Sequence, residues 1–402
     1  MTPVSIELFA YPWDIVDAGE GPFLDECLKL GVNRVHVAVS YHSGKFLLPR
    51  NQRAVVYFPE PGTLYFRPDE ANWKGALEQP VSDLAATRWL ERLAEGARSR
   101  NIELSAWTVF FHSSALGARY PDLIVRNAFG DGYPFALCPS QARVQDHGAA
   151  LCRSVAGLGV FAGIDLETIG YLGYSHGYHH EVTAIPLGPA ERFLLSLCFC
   201  PACCARGEAA GIGMQPLAEE VRRILRHRMR FDDAGGGPEE SAEKLATLLV
   251  MYPVIEQLVR LRMDTVTALV RRLAAESGKT KLAAFTSSFV GSPLNIWMEG
   301  VSPTDLRDVV ECFHLLAYGG GAAEGNSDLV FFLAMVGDAD RLNLTLNLGL
   351  PVTATFDQAA AKVEYARRVG VRRFSFFNYG LLGENRLRWI QELGCVARKA
   401  GA

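Results

Sequence analysis

The clearest strand pattern in the chain is LNLTLNLGL, residues 342–350. Leucines at every second position alternate with Asn343, Thr345, Asn347 and Gly349. A period of two puts the leucines on one face of a strand and the small or polar residues on the other. An aliphatic face suits a covering layer of helices, and the opposite face suits a barrel interior lined by functional groups. The pattern therefore predicts one wall strand of a barrel.

Seven further β-rich runs flank this stretch, and nearly all are followed by a helical pattern. The runs span residues 4–11, 34–42, 103–112, 160–168, 281–289, 312–318 and 373–379. The helical patterns span residues 81–99, 141–155, 241–277, 326–336, 356–369 and 385–399. This alternation predicts an α/β fold, a single (β/α)8 TIM barrel over residues 1–402. A doubly wound open sheet is the alternative, but it usually has fewer strands.

Two segments are too long for simple barrel connections and predict insertions. Segment 43–75, after the second strand, is rich in aromatic residues and proline and predicts a hairpin-like cap over the barrel mouth. Segment 170–240, after the fourth strand, contains a cysteine cluster and predicts a zinc-binding loop region.

The composition excludes several classes of protein. Apolar residues make up 49% and charged residues 21% of the 402 residues, which is typical of a globular protein. A net charge of -4 argues against a nucleic-acid or membrane surface. No leader pattern and no apolar stretch long enough to span a bilayer are present, which predicts a cytoplasmic protein with reduced thiols. The oligomeric state stays open, and a homo-oligomer is one option.

The cysteine cluster has the sequence Cys198-Phe-Cys200-Pro-Ala-Cys203. Closely spaced thiols on a loop are typical of zinc sites, and Cys138 after the third strand lies at the same end of the barrel. The pattern predicts a structural zinc, because four thiolates would leave no open position for catalysis. Buried or redox-active cysteines are the alternative.

The fourth strand carries two acidic residues, Asp165 and Glu167. Their spacing puts both on one strand face, near the carboxyl end of the barrel where active sites of this fold lie. Paired carboxylates at this spacing are compatible with glycoside hydrolysis, and crowding should raise the pKa of one of them. A salt-bridged pair lining the barrel is the alternative.

Aromatic and hydrogen-bonding residues cluster at the predicted strand ends. Aromatic rings stack on sugar faces and amides or imidazoles bind hydroxyls, so the set predicts a site for a neutral carbohydrate. No Arg or Lys is expected there, which argues against a phosphorylated substrate. The candidate substrate-binding residues are Tyr11, Trp13, Asp14, Tyr41, His42, His112, Tyr318, Asn347, Asn378 and Tyr379.

Taken together, the fourth-strand Glu, the C-x-C-x-x-C array and the earlier Cys138-Pro-Ser resemble family 42 β-galactosidases and related hypothetical glycosyl hydrolases. The resemblance implies a structural zinc held by Cys138, Cys198, Cys200 and Cys203. It also implies that Glu167 is the acid/base residue. Leu166 replaces the Asn that precedes this Glu in the family, and the seventh strand lacks the family's nucleophilic Glu. Asp165 could take that role, and Glu299 and Asp14 are less well placed alternatives.

The sequence thus predicts a glycoside hydrolase acting on a small neutral glycoside or oligosaccharide. Glu167 would protonate the leaving oxygen, and Asp165 would be nucleophile, base or charge stabiliser. A non-hydrolytic sugar-binding barrel is one alternative. A metal-dependent sugar isomerase or lyase is another, using His176, His179 or His180 with Asp165 or Glu167.

Overall fold

The computed structural model describes residues 3–178, 180–231, 241–286, 292–318 and 322–399. Its strands are β1 (Ser5–Ala10), β2 (Arg34–Tyr41), β3 (Phe46–Leu47), β4 (Val56–Tyr57), β5 (Thr63–Leu64), β6 (Glu103–Val109), β7 (Ile124–Arg126), β8 (Gly132–Leu137), β9 (Gly163–Glu167), β10 (Lys281–Phe285), β11 (Cys312–Leu316), β12 (Leu342–Asn347) and β13 (Arg373–Phe377). Eight of them form a closed ring of parallel neighbours in the order β1, β2, β6, β9, β10, β11, β12, β13 and back to β1. The predicted (β/α)8 barrel is confirmed.

Helices follow the barrel strands along the chain. They are α1 (Pro12–Ala18), α2 (Glu20–Lys29), α3 (Trp89–Ser99), α4 (Ser114–Arg119), α5 (Ala142–Gly157), α6 (Pro189–Leu195), α7 (Pro201–Ala209), α8 (Met214–Arg228), α9 (Ser241–Met251), α10 (Pro253–Glu276), α11 (Pro303–Leu306), α12 (Ala322–Val336), α13 (Phe356–Arg368) and α14 (Glu384–Arg398). No helix in the described ranges combines the length and apolar character needed to cross a bilayer.

Local structure accounts for two differences from the predicted helical stretches. The pattern at 81–99 begins with a 3-10 turn capped by Ser82, and Arg88 has a left-handed φ of 56°, so α3 starts only at Trp89. The pattern at 241–277 divides into α9 and α10 at Pro253, which has no backbone N–H to continue the first helix.

The leucine face of β12 packs outward as expected, with Leu342, Leu344 and Leu346 at most 2% exposed. Its opposite face points into the barrel, where the hydroxyls of Thr345 and Ser375 lie 2.7 Å apart. The barrel therefore has an apolar outer face and a hydrogen-bonded interior.

Smaller elements lie between the barrel strands along the chain. Segment 43–75 contains the antiparallel hairpin β3–β4, and β5 pairs antiparallel with β2. A second hairpin, β7–β8, lies between β6 and α5. In segment 170–240, apart from residues 179 and 232–240, which lie outside the described ranges, α6 and α8 pack in a second apolar cluster with α9 and α10.

Candidate active site and cysteine cluster

The barrel interior is built around Asp165 of β9. One carboxylate oxygen accepts a hydrogen bond from His36 Nδ1 at 2.7 Å, and the other accepts one from His314 Nε2 at 3.0 Å. His36 Nε2 donates to Glu7 Oε2 at 2.7 Å, and Asn343 Nδ2 donates to the same oxygen at 2.7 Å. These five side chains come from β1, β2, β9, β11 and β12, so the barrel itself assembles them.

The charges in this interior network depend on one another. Burial disfavours the charged imidazole, but Asp165 and Glu7 raise the pKa of His36 to about 9. Burial also opposes ionisation of Glu7, yet the hydrogen bond and charge of His36 lower its pKa to about 2. The pKa of Asp165 lies well below its ordinary value against burial, because His36 and His314 face it, whereas burial lowers the pKa of His314. At neutral pH two carboxylates and one imidazolium are therefore charged.

The donor types of His36, Asp165 and His314 would also suit a metal ion. Their separations are those of direct hydrogen bonds, and each carboxylate oxygen already has a donor. Asp165 is 1% exposed, so the salt-bridged alternative describes it well.

Glu167 lies two residues further along β9, at the barrel mouth. Its side chain is only partly buried, and Oε2 accepts a hydrogen bond from the indole Nε1 of Trp107 on β6. Burial raises the pKa of Glu167, the Trp107 bond lowers it, and the charges of Asp165 and Glu299 raise it again, to about 7. A carboxyl with this pKa can donate a proton near neutral pH.

Aromatic side chains surround Glu167. Trp107 lies with its ring 5.2 Å from those of Tyr11 and Tyr41, whose hydroxyls are 3.0 Å apart. Burial is the main cause that raises the pKa values of Tyr11, Tyr41 and Tyr318. The next cause is Tyr41 for Tyr11, and the charge of Glu167 for Tyr41 and Tyr318. The phenols therefore stay neutral and can donate or accept hydrogen bonds.

Trp13 belongs to this aromatic group through Tyr11. Its ring stacks on that of Tyr11 at 4.4 Å and lies 4.8 Å from the ring of Tyr57 on the β3–β4 hairpin. Trp13 thus connects the wall of the site to the hairpin.

Three histidines form a second group at the mouth. His42 stacks on His112 at 4.1 Å, and His176 Nε2 lies 3.1 Å from His112 Nδ1. Burial lowers the pKa of His42 to about 4 and that of His176 to about 3, so both are neutral at physiological pH. His180 is exposed, and His179 lies outside the described residues. Within the described part of the chain, no metal-type group joins His176 to Asp165 or Glu167.

Three further predicted site residues have hydrogen-bond partners of their own. The Tyr379 hydroxyl donates to Glu26 of α2 at 2.6 Å, so this side chain lies against the helix layer. Asn378 accepts from the Gly380 amide at 3.1 Å, and Asn347 accepts from the Gly349 amide at 2.8 Å. Each of these two asparagine side chains thus stabilises the turn that follows it in the chain.

Asp14 lines a separate cavity of about 120 Å³ with Arg50, Tyr379 and Gly380. Burial raises the pKa of Asp14 to about 7, although Arg50 and Asn51 oppose this rise. The structure therefore does not bring Asp14 into the group around Glu167.

The four predicted cysteine ligands do converge. Cys138 follows β8 rather than a barrel strand, and Cys198, Cys200 and Cys203 lie after α6 and at the start of α7. The Sγ atom of Cys138 lies 3.8 Å from that of Cys198, 3.7 Å from that of Cys200 and 3.5 Å from that of Cys203. All four residues are buried. Tetrahedral Zn²⁺ with Zn–S bonds of about 2.3 Å places sulfurs about 3.8 Å apart. The cluster therefore fits a metal ion of this kind.

Sequence reasoning missed several residues of the site. Glu7, His36 and His314 are buried residues on barrel strands. Their alternation with outward-facing residues along each strand was the sequence signal that could have identified them. Trp107 is apolar by type, and only its contact with Glu167 assigns it to the site.

Comparison with known proteins gives a likeness at the level of the fold. No protein-family model and no curated protein sequence matches the chain. The glycoside hydrolase domain of PgaB (BpsB) from Bordetella bronchiseptica is 12% identical, with a TM-score of 0.60, and covers 99% of this chain and 100% of that one. The catalytic domain of a β-amylase from Paenibacillus polymyxa is 10% identical, with a TM-score of 0.56 and full coverage of both chains.

A β-galactosidase from Bacillus circulans sp. alkalophilus is similar at 12% identity and a TM-score of 0.57. The match covers 98% of this chain but only 56% of the galactosidase. This chain therefore has the barrel fold found in glycoside hydrolases of several specificities.

Proposed function

We propose that the chain is a glycoside hydrolase acting on a neutral glycoside or oligosaccharide, with Glu167 as the general acid. The observation that carries the proposal is the carboxyl of Glu167 at the mouth of the barrel, with a pKa raised to about 7. A general acid works best when its pKa is close to the working pH. The barrel fold shared with several glycosidases supports the same reading.

In this proposal, protonated Glu167 transfers its proton to the leaving oxygen as the glycosidic bond breaks. Trp107 holds one carboxylate oxygen and thereby orients the group. Tyr11, Tyr41 and Tyr318 supply neutral hydroxyls and ring faces for the hydroxyl groups and apolar faces of a sugar.

Asp165 contributes as a fixed negative charge behind Glu167. Both of its oxygens already accept hydrogen bonds, so charge stabilisation suits it better than direct attack on the sugar. Its ionised state helps to keep the pKa of Glu167 high and stabilises positive charge developing on the sugar ring.

We also propose that Cys138, Cys198, Cys200 and Cys203 bind a structural zinc ion. Zinc would supply a crosslink between the β7–β8 hairpin and the α6–α7 region. The Arg126 amide donates to Cys198 Sγ at 3.4 Å and Gln141 Nε2 to Cys200 Sγ at 3.7 Å, which suits sulfurs carrying negative charge.

The test is hydrolysis of a panel of aryl glycosides and neutral oligosaccharides by the wild type and by Glu167→Gln. We expect turnover by the wild type and a loss of about 10²- to 10⁴-fold in kcat for the variant, the usual contribution of a general acid. Glu78→Gln, an exposed carboxyl paired with Arg119, is the matched control and should keep full activity. Full activity of Glu167→Gln, or no turnover of any substrate by the wild type, would refute the assignment.

A non-hydrolytic sugar-binding barrel is the second candidate. It is favoured by Asn347 and Asn378, because β12 and the residue after β13 present amides instead of carboxylates. Isothermal titration calorimetry showing saturable sugar binding without product formation would select it over the hydrolase.

A further inference from the structure

Glu299 lies beside the segment that leaves the active-site strand. It ends a 3-10 turn, Pro293–Glu299, after β10, and its backbone oxygen accepts a hydrogen bond from the Tyr171 amide at 2.8 Å. A Cβ atom on Gly170 would collide with that same oxygen. The main chain of Glu299 is thus held directly against residues three and four positions beyond Glu167.

The turn that carries Glu299 is itself firmly held. Gly300 ends it with a left-handed φ of 81°, and a Cβ there would lie 3.0 Å from the Arg262 carbonyl oxygen. Ile296 and Met298 are buried, and the Trp297 ring contacts that of Phe193 at 5.3 Å. Glu299 therefore has a defined position on packed structure.

The Glu299 side chain begins beside the same segment, because its Cβ atom would lie 3.1 Å from a Cβ added at Gly170. Its charge is one of the two carboxylate charges that raise the pKa of Glu167, and the other is that of Asp165. Glu299 is partly exposed, whereas Asp165 is sealed in the barrel with both oxygens occupied. Segments 287–291 and 319–321, which follow β10 and β11, contain no Asp or Glu. Of the two carboxylates whose charges act on Glu167, Glu299 is the more exposed.

We infer that Glu299 is the second catalytic carboxylate, acting with Glu167 on the same glycosidic bond. The inference rests on the proposed hydrolase function and deepens it. Glu167 gives its proton to the leaving oxygen, the bond from the anomeric carbon to that oxygen breaks, and the aglycone leaves as an alcohol. The anion of Glu299 balances the positive charge on the sugar. Water then adds to the anomeric carbon, and its proton returns to the Glu167 carboxylate.

The experiment compares Glu299→Gln, Glu299→Ala and Asp165→Ala with Glu167→Gln, using aryl glycosides of graded leaving-group acidity. We expect Glu299→Gln to lower kcat by at least about 100-fold for good and poor leaving groups alike. The defect of Glu167→Gln should shrink as the leaving group improves, because less protonation is needed. Sodium azide should restore turnover in Glu299→Ala and yield a glycosyl azide.

Near-normal turnover by Glu299→Gln, or azide rescue in an Asp165→Ala variant and not in Glu299→Ala, would overturn the inference. If Glu299→Gln unfolds at the same temperature as the wild type, its loss of activity comes from the missing carboxylate and not from misfolding. Glu78→Gln is again the control. If the wild type hydrolyses nothing in the panel, the proposed function fails. If the wild type is active and Glu299→Gln is equally active, only the role of Glu299 fails.

Discussion

Replacing Glu167 with Gln should make the protein more stable in alkaline solution. The folded state raises the pKa of this carboxyl from its ordinary 4.5 to about 7, chiefly by burial. A raised pKa favours folding while the group is protonated, below pH 4.5, and that contribution is lost as the pH rises through about 7. Above that pH the wild type folds with an unfavourable buried charge, which Gln does not carry.

The size of the effect follows from the pKa. A rise from 4.5 to about 7 corresponds to about 3 kcal/mol of differential interaction. Glu167 is partly exposed, so solvent screening lowers the expected gain to about 2 kcal/mol. The Gln side-chain oxygen can still accept the hydrogen bond from Trp107, so that contact should persist.

Urea unfolding followed by tryptophan fluorescence measures this difference in the free energy of unfolding. The stability gap between Glu167→Gln and wild type should be near zero around pH 4.5 and grow to about 2 kcal/mol around pH 9. The other charges near Glu167, those of Asp165 and Glu299, are common to both proteins, and Tyr11, Tyr41 and Tyr318 stay neutral over this range. A gap that is constant with pH, or a variant less stable at pH 9 than at pH 4.5, would refute the burial argument.

Three other changes test the rest of the structure. Asp165→Asn should cost about 3–5 kcal/mol in urea unfolding, because it breaks a buried charge network around His36 and His314, and a cost below about 1 kcal/mol would contradict that network. Because the pKa of Glu7 is lowered to about 2, its stabilising contribution should be present above pH 4.5 and lost as the pH falls towards 2, so acid unfolding should be steeper in wild type than in Glu7→Gln. Elemental analysis should find one zinc per chain in wild type and less in Cys203→Ser. The amount should be unchanged in Cys204→Ser, because the thiol of Cys204 contacts the Phe199 carbonyl instead of the cluster. Equal zinc in all three proteins would exclude the four-cysteine site.

Much of the barrel could be predicted from local pattern. The alternation in β12 follows from a period of two, and the helix break at Pro253 follows from the missing backbone N–H of proline. The cysteine array was recognisable because ligand spacing along the chain is itself the signal. Glu167 could be chosen as a candidate site residue for a similar reason, since its place at the end of a barrel strand is a property of the sequence pattern.

Residues that look alike in sequence were separated by tertiary structure. Asp165 and Glu167 share one strand and one face, yet their pKa values differ. His36 and His314 lower the pKa of Asp165, whereas burial raises the pKa of Glu167 to about 7. Tyr41 and Tyr379 both lie at the ends of predicted strand runs, but the Tyr41 ring lies beside Trp107 and the Tyr379 hydroxyl donates to Glu26.

The sequence by itself therefore determined the barrel, the strand carrying the acids and the cysteine cluster, because these depend on periodicity and spacing along the chain. Only the tertiary structure decided that the pKa of Glu167 is raised and that Glu299 lies beside Gly170. Burial, charge and close approach are properties of residues far apart in the chain, such as Glu167 and Glu299, and arise only when the barrel closes.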